Sequence, residues 1–215
     1  MKSFAVIGLG RFGTRIATQL AALGEEVLAI DRKEAQVEPI ADLVERAVVA
    51  DAKNKDALTK LGVQDCDCAV VAIGSDLGTS VLITMNLKAL NVPKIICKAH
   101  DETHRDILEK LGADQVIIPE HLIADRLAAS LASKNVLDYI ELSDDYGVVE
   151  CSAPAAWVGK TIHALHIRSQ YGATVIALKK GDEIRVSPDG EDVIEKDMIL
   201  VLLGDYDSLR KIRKL

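Results

Sequence analysis

Through residue 118, short continuous apolar runs alternate with stretches whose apolar positions recur every three or four residues. The runs Phe4–Ile7, Val27–Ile30, Ala47–Ala50, Cys68–Ile73, Lys94–Cys97 and Gln115–Ile118 predict six strands. Strands apolar at every position, rather than at every second one, belong in a parallel sheet covered on both faces. Between them, Ile16, Leu20 and Leu23 fall on one helical face at i, i+4, i+7, and Ile107, Leu108 and Leu111 do the same in the fifth helix. Gly24 and Gly112 stand where those helices would stop. Six strands joined by right-handed helical crossovers predict an α/β fold, a doubly wound parallel sheet of order 3-2-1-4-5-6.

The pattern then changes. Pro119-Glu120 begins another helix with Ile123, Leu127 and Leu131 at i, i+4, i+8, and this helix is expected to lead out of the first domain. Beyond it, short strands at Val148–Cys151, Ala173–Leu178 and Met198–Leu203 are separated by turn signals such as Gly181-Asp182 and Pro188-Asp189-Gly190. The expected organisation is a sheet domain over 1–118, a crossover helix over 119–134 and a small α+β lobe over 135–215. A lobe of that size is expected to rely on self-association.

Composition narrows the function classes. Of 215 residues, 49% are hydrophobic and 27% charged, as in a globular chain, and with aromatics at 3% the core must be aliphatic. A net charge of −7 argues against a nucleic-acid groove. The one basic cluster, Arg210, Lys211, Arg213 and Lys214, suits the C-terminal turn of a helix. No apolar run reaches the roughly 18 residues that span a bilayer. The N-terminus passes into a strand without a signal-peptide pattern. Cys66, Cys68, Cys97 and Cys151 have neither zinc-knuckle nor redox-pair spacing, so reduced thiols and a cytoplasmic location are expected.

The candidate chemistry lies at the first strand–helix joint, Gly8-x-Gly10-x-x-Gly13. Gly8 allows the sharp turn, Gly10 lets backbone approach a diphosphate, and Gly13 lets the helix pack closely on the sheet. The first helical turn then offers free N–H groups and a favourable dipole to phosphates. The second strand ends at Asp31, where a carboxylate can accept from both ribose hydroxyls and would repel a 2′-phosphate despite Arg32 beside it. In the predicted order the chain reverses between strands one and four, so the loop Ile73-Gly74-Ser75-Asp76 also borders the ligand crevice. Ser75 and Asp76 are equally explained as caps of the next helix.

Arg11 lies in the glycine loop, where a guanidinium can reach a terminal phosphate. The alternative is a solvated first-turn arginine, although a cation there opposes the helix dipole. The histidines supply no clear catalyst. His104 shares the apolar stripe of Ile107, Leu108 and Leu111; His100 and His104 at i, i+4 could grip a metal but lack a third ligand; His163 and His166 suit a surface. A nucleotide site without an evident catalyst suggests that the nucleotide is a signal, not a substrate.

The order of Phe4-Ala-Val-Ile-Gly-Leu-Gly-Arg-Phe-Gly13, the Asp31 strand end, Val70-Val-Ala-Ile-Gly74, Leu111-Gly-Ala-Asp114 and Pro119-Glu120 resembles the Ktr/Trk-type potassium-uptake regulators, cytosolic RCK proteins. Asn135-Val-Leu-Asp-Tyr-Ile-Glu141 and Tyr171-Gly172 carry the resemblance into the small lobe. It implies a Rossmann-like RCK N-lobe, a crossover helix and a C-lobe. It also implies dimers assembled as an octameric ring beneath a membrane potassium-translocating subunit, a non-enzymatic role, and control by ATP and ADP. Gly8, Gly10 and Gly13 would line the diphosphate, Asp31 the ribose and Asp51 the adenosine side, with Phe12, Arg32, Ala52, Ile73, Gly74 and Ser75 in the same site. Arg11 and Lys98 would engage the terminal phosphate, from one protomer or two. Glu120 matches an acidic position that helps bind a divalent cation, Mg²⁺ or Ca²⁺; stabilisation of a helix N-terminus explains it equally. Ile167, Arg168, Ile176 and Pro188 fall where some relatives hold cyclic di-AMP. The rival expectations are an NAD(H)-sensing regulator of the same fold and a small NAD-dependent oxidoreductase.

Overall fold

The computed structural model describes residues 1–131, 136–143, 145–212 and 215. Residues 132–134 of the expected crossover segment, Asn135 of the resembling segment, and Arg213 and Lys214 of the basic cluster lie outside them. The chain divides into two compact units, Met1–Glu120 and His121–Leu215.

In the first unit, β1 (Ser3–Ile7), β2 (Glu26–Asp31), β3 (Arg46–Val49), β4 (Cys68–Val71), β5 (Ile95–Lys98) and β6 (Gln115–Ile117) form one sheet of order β3-β2-β1-β4-β5-β6. Every pairing in it is parallel. The expected order is therefore the observed one. The alternation of a strand sorts its side chains between two cores: Ala5, Ile7, Leu28, Ile30, Ala69 and Val71 pack on one face, and Val6, Val27, Ala29, Cys68 and Val70 on the other. Burial on both faces accounts for the continuously apolar runs.

Helices α1 (Arg11–Ala22), α2 (Glu34–Val37), α3 (Lys55–Leu61), α4 (Leu77–Ala89) and α5 (Glu102–Lys110) connect the strands, and α6 (Pro119–Leu131) follows β6. Gly24 and Gly112 stop their helices at φ +83° and +95°, as expected of C-terminal glycines. Asn54 caps α3, its side chain accepting from the N–H groups of Asp56 and Ala57.

The second unit is a five-stranded sheet of order β10-β9-β11-β8-β7, built from β7 (Val136–Glu141), β8 (Tyr146–Ser152), β9 (Ala173–Lys180), β10 (Glu183–Val186) and β11 (Ile199–Asp205), with α7 (Ile162–Leu165), α8 (Ile167–Tyr171) and α9 (Tyr206–Ile212). The pairings are antiparallel. Val149, Cys151, Trp157, Leu165, Leu200, Leu202 and Leu209 form its core. The sequence pattern predicts three strands here, and the sheet has five. The Gly181-Asp182 turn joins β9 to β10 as a hairpin. β10 escapes a periodicity argument because its four residues are all exposed on a sheet edge.

Candidate nucleotide-binding site

A cleft of about 280 Å³ opens at the C-terminal ends of β1, β2 and β4. This is the switch point that the strand order predicts. Its lining includes Gly8, Gly10, Asp31, Arg32, Asp51, Ala52, Ile73 and Ser75 from the expected set. Lys33, Gln36, Lys53 and Thr79, which lie outside the expected set, line it too. Each follows an expected residue closely in sequence, so the rule that selected the end of β2 also pointed to Lys33 and Gln36.

The three loop glycines have different physical roles. Gly8 sits at φ +93°, and a Cβ there would stand 2.6 Å from Ile73 Cγ1. At Gly13 a Cβ would fall 1.8 Å from the Gly8 carbonyl oxygen and 2.9 Å from Ala72 Cβ, so the first turn of α1 lies directly on the strand ends. At Gly10 a Cβ would meet nothing within 4 Å. The missing side chain leaves open space at the cleft wall.

Gly10 is the N-cap of α1 and provides no side-chain acceptor. The Thr14 N–H reaches the Gly10 carbonyl at 2.9 Å, and the N–H groups before it belong to the turn that a helix leaves without internal partners. An anion placed there gains those donors and the helix dipole.

Asp31 braces this loop. Its Oδ2 accepts from the Leu9 N–H at 2.7 Å and its Oδ1 from the Lys33 N–H at 2.9 Å. A carboxylate has about four acceptor sites, so capacity remains for ribose hydroxyls. Asp51 is exposed; its Oδ1 accepts from the Lys53 N–H at 3.0 Å, and Lys53 Nζ lies 3.8 Å from its Oδ2. Of Ser75 and Asp76, Asp76 is the one that caps the next helix. Its Oδ1 accepts from the Thr79 N–H at 3.0 Å and its Oδ2 from the Thr79 hydroxyl at 2.7 Å, capping α4. These bonds hold its carboxyl below the ordinary value. Both Ser75 and Asp76 still line the cleft.

Arg11, Phe12, Gly13, Gly74 and Lys98 are not in the cleft lining. Lys98 Nζ lies 5.6 Å from the centroid of the Phe12 ring, and its stem passes Gly74, where a Cβ would come within 3.2 Å of Lys98 Cε. The same ammonium donates to Glu120 Oε1 at 2.7 Å, and the Lys98 side chain is only 16% exposed. That bond, chiefly, holds the Glu120 carboxyl below its ordinary value, and Arg11 adds to the effect. Arg11 itself is exposed. Glycine loop, lysine and acid thus meet beside the first turn of α1.

The residues present fit a nucleotide: an open cradle at Gly10, an uncapped helix N-terminus and a braced carboxylate at the end of β2. They do not by themselves fit a divalent cation. Among the described residues no group of three or more His, Cys, Asp or Glu side chains is placed to hold a metal, and Glu120 is engaged by Lys98.

In the second unit, Ile167 is 3% exposed within the core, whereas Arg168 is exposed. Ile176 and Pro188 are half-buried, and the Ser187 N–H donates to the Ile176 carbonyl at 2.8 Å, bringing those two positions together. The Ile167 side chain packs in the core of this unit. His163 and His166 are exposed, as expected, and no helix among the described residues is long and apolar enough to cross a membrane.

Residues 4–119 match the TrkA-N domain model and residues 148–215 the TrkA-C domain model. Over 210 residues the chain is 41% identical to the Ktr system potassium uptake protein A of Bacillus subtilis (strain 168), spanning 98% of this chain and 95% of that protein. It is similar in fold to the GsuK channel, at 18% identity and a TM-score of 0.71, over 98% of this chain and 38% of the channel chain. It is also similar to the Kef CTD of Shewanella denitrificans in its AMP-bound form, at 25% identity and a TM-score of 0.52, over 60% of this chain and 81% of that one. With both domain models in sequence and this identity over nearly its whole length, the chain belongs to the Ktr/Trk family of RCK regulatory proteins of potassium uptake.

Proposed function

We propose that this chain is the cytosolic regulatory subunit of a potassium uptake system, and that an adenosine phosphate in the cleft is its signal rather than a substrate. The observation that carries the proposal is the open cradle at Gly10 above the uncapped start of α1, with Asp31 braced at its edge. The AMP-bound relative supports an adenosine nucleotide as occupant, and the potassium uptake relative supports the regulated process.

Gly8, Gly10 and Gly13 receive the diphosphate, Asp31 the ribose, and Asp51 with Ala52 the adenosine side. Arg11 and Lys98 take the terminal phosphate. Arg11 is exposed and outside the cleft of its own chain, which suits a guanidinium shared with a neighbouring protomer. Dimers assembled as an octameric ring on a membrane potassium-translocating subunit would provide that neighbour. A divalent cation at Glu120 would likewise need ligands from a second copy. In the C-lobe, Arg168 with Ile176 and Pro188 would bind cyclic di-AMP as an inhibitory signal, with the second lobe of a dimer completing the walls.

Control is a population shift: a nucleotide moves the ring only by its differential affinity for two ring shapes, ATP favouring conduction. One charged hydrogen bond from Arg11 to a terminal phosphate is worth about 1.5–3 kcal/mol, roughly ten- to a hundredfold in affinity per site. Repetition around a ring makes such a factor decisive.

Calorimetric titration of ATP, ADP, NAD and NADH into nucleotide-stripped protein, with and without Mg²⁺, tests the proposal. Tight binding that distinguishes ATP from ADP is expected, and Arg11→Ala should keep ADP while losing the preference for ATP. The second reading, an NAD(H) sensor or a small NAD-dependent oxidoreductase, draws on the same feature, because Asp31 and the glycine loop suit a dinucleotide equally. Strong preference for NAD or NADH would favour it, and substrate-dependent NADH absorbance would identify the enzyme.

A further inference from the structure

Just beyond Lys98, the chain leaves β5 and enters α5 through His100 and Asp101. Asp101 caps α5 with one oxygen and holds a histidine with the other: Oδ1 accepts from the His104 N–H at 2.7 Å, and Oδ2 lies 2.9 Å from His100 Nε2. The two imidazoles face each other, Nδ1 to Nδ1, at 2.8 Å. His100 is half exposed, whereas His104 is 1% exposed and its Nε2 has no hydrogen-bond partner. The rings are turned onto one another rather than toward a common third point, so a metal grip, weighed from the i, i+4 spacing, is not what the side chains form.

This arrangement determines where the protons sit. Asp101 is an acceptor, so His100 must carry its proton on Nε2 and, when neutral, offers Nδ1 as an acceptor. His104 then donates from Nδ1, and its buried Nε2 is the bare nitrogen. Asp101 would stabilise a further proton on His100, but the bond between the rings and the buried His104 oppose it. On His100 Nδ1 it reverses the bond between the rings, and His104 must then carry its own proton on buried Nε2, a donor without an acceptor. If His104 keeps its Nδ1 proton, two donors face each other and the contact breaks.

α4 and β6 pack on α5, and beside burial the groups that shift His104 are His100 and Asp101. Among the described residues, the cations of the packed elements that form ion pairs do so with other carboxylates. Lys88 of α4 turns to Asp114, and Arg105 of α5 pairs with Glu102, Asp106 and Glu109 of its own helix. The geometry points to a proton-responsive clasp: the His100–Asp101–His104 cluster closes the β5–α5 junction while the histidine pair is neutral and releases it when the pair takes up a proton. Burial, chiefly, lowers the affinity of His104 for a proton below the ordinary histidine value. The neutral ring is therefore favoured by folding. Its stabilisation is complete above the unfolded value near 6.5 and is lost as pH falls from there toward the folded value.

The test is nitrogen-detected NMR of the imidazoles in the full chain between pH 8 and 5, with thermal unfolding over the same range. At high pH His104 should show the Nδ1–H tautomer and His100 the Nε2–H tautomer, with coupling across the Nδ1 pair that vanishes on acidification. The unfolding midpoint should fall with pH, and His104→Leu, which replaces the buried ring by an apolar side chain, should flatten that fall. An Nε2–H tautomer at His104, or a His104 titration at the ordinary value, would overturn the clasp. So would a His104→Leu variant with an unchanged pH slope. If that variant does not fold, the spectra of the unaltered protein decide alone.

Discussion

Three glycines within six residues invite the same explanation, and the structure separates them. Gly8→Ala forces a side chain at φ +93° and against Ile73, so a loss of about 1–3 kcal/mol is expected in denaturant unfolding. Gly13→Ala should cost more, because its Cβ would penetrate a backbone carbonyl that cannot turn away. Gly10→Ala meets nothing, and its unfolding free energy should stay within about 0.5 kcal/mol of the parent. Nucleotide affinity should nevertheless drop at least about tenfold, a readout that isolates the ligand's use of that space. The four cysteines make a quieter case. All are free and buried, and burial pushes Cys97 up to about 11 and Cys151 up to about 12. Thiolate is the reactive form, so alkylation of native protein at pH 8 should be slow at all four and rapid after denaturation.

Among the elements, helix starts divide into two kinds. α3, α4 and α5 each have a side-chain cap, at Asn54, Asp76 and Asp101, whereas α1 has none. Gly10, the uncapped start of α1, lines the cleft, and the donors of that first turn are left for a ligand. Asn54→Ala should cost about 0.5–2 kcal/mol by thermal unfolding, without altering nucleotide affinity. Asp76 is a cap with a pH dependence. Because the Thr79 bonds lower its folded value below the ordinary 3.8, its stabilisation is present above that pH and is lost as pH falls through the folded value. Asp76→Asn should therefore flatten the acid limb of the stability profile.

For the molecule as a whole, each unit has its own core, yet α6 presents Leu122, Ile123, Leu127 and Leu131, each more than half exposed. A helix with that much apolar surface agrees with the proposed self-association. Sedimentation should detect species larger than a monomer, and Ile123→Glu with Leu127→Glu should shift the distribution toward monomer while leaving the nucleotide affinity of each chain measurable.

What the sequence determined follows from local physics. Uninterrupted apolar runs required a sheet covered on both faces, crossovers are right-handed, and Gly8 and Asp31 stand at fixed distances from strand ends, so strand order and cleft position were both legible. What only tertiary structure decided depends on groups distant in sequence or on which way a side chain turns. Lys98 and Glu120 are 22 residues apart, and nothing local pairs them. Ile167 packs in the core of the second unit against residues distant in sequence, which no local pattern specifies. β10 is too short and too exposed for its pattern to speak, and becomes a strand because β9 offers it a hydrogen-bonding edge. The i, i+4 spacing of His100 and His104 and the apolar stripe around His104 allowed a metal or a buried ring; burial of one ring and the Asp101 carboxylate beside the other turned them onto each other.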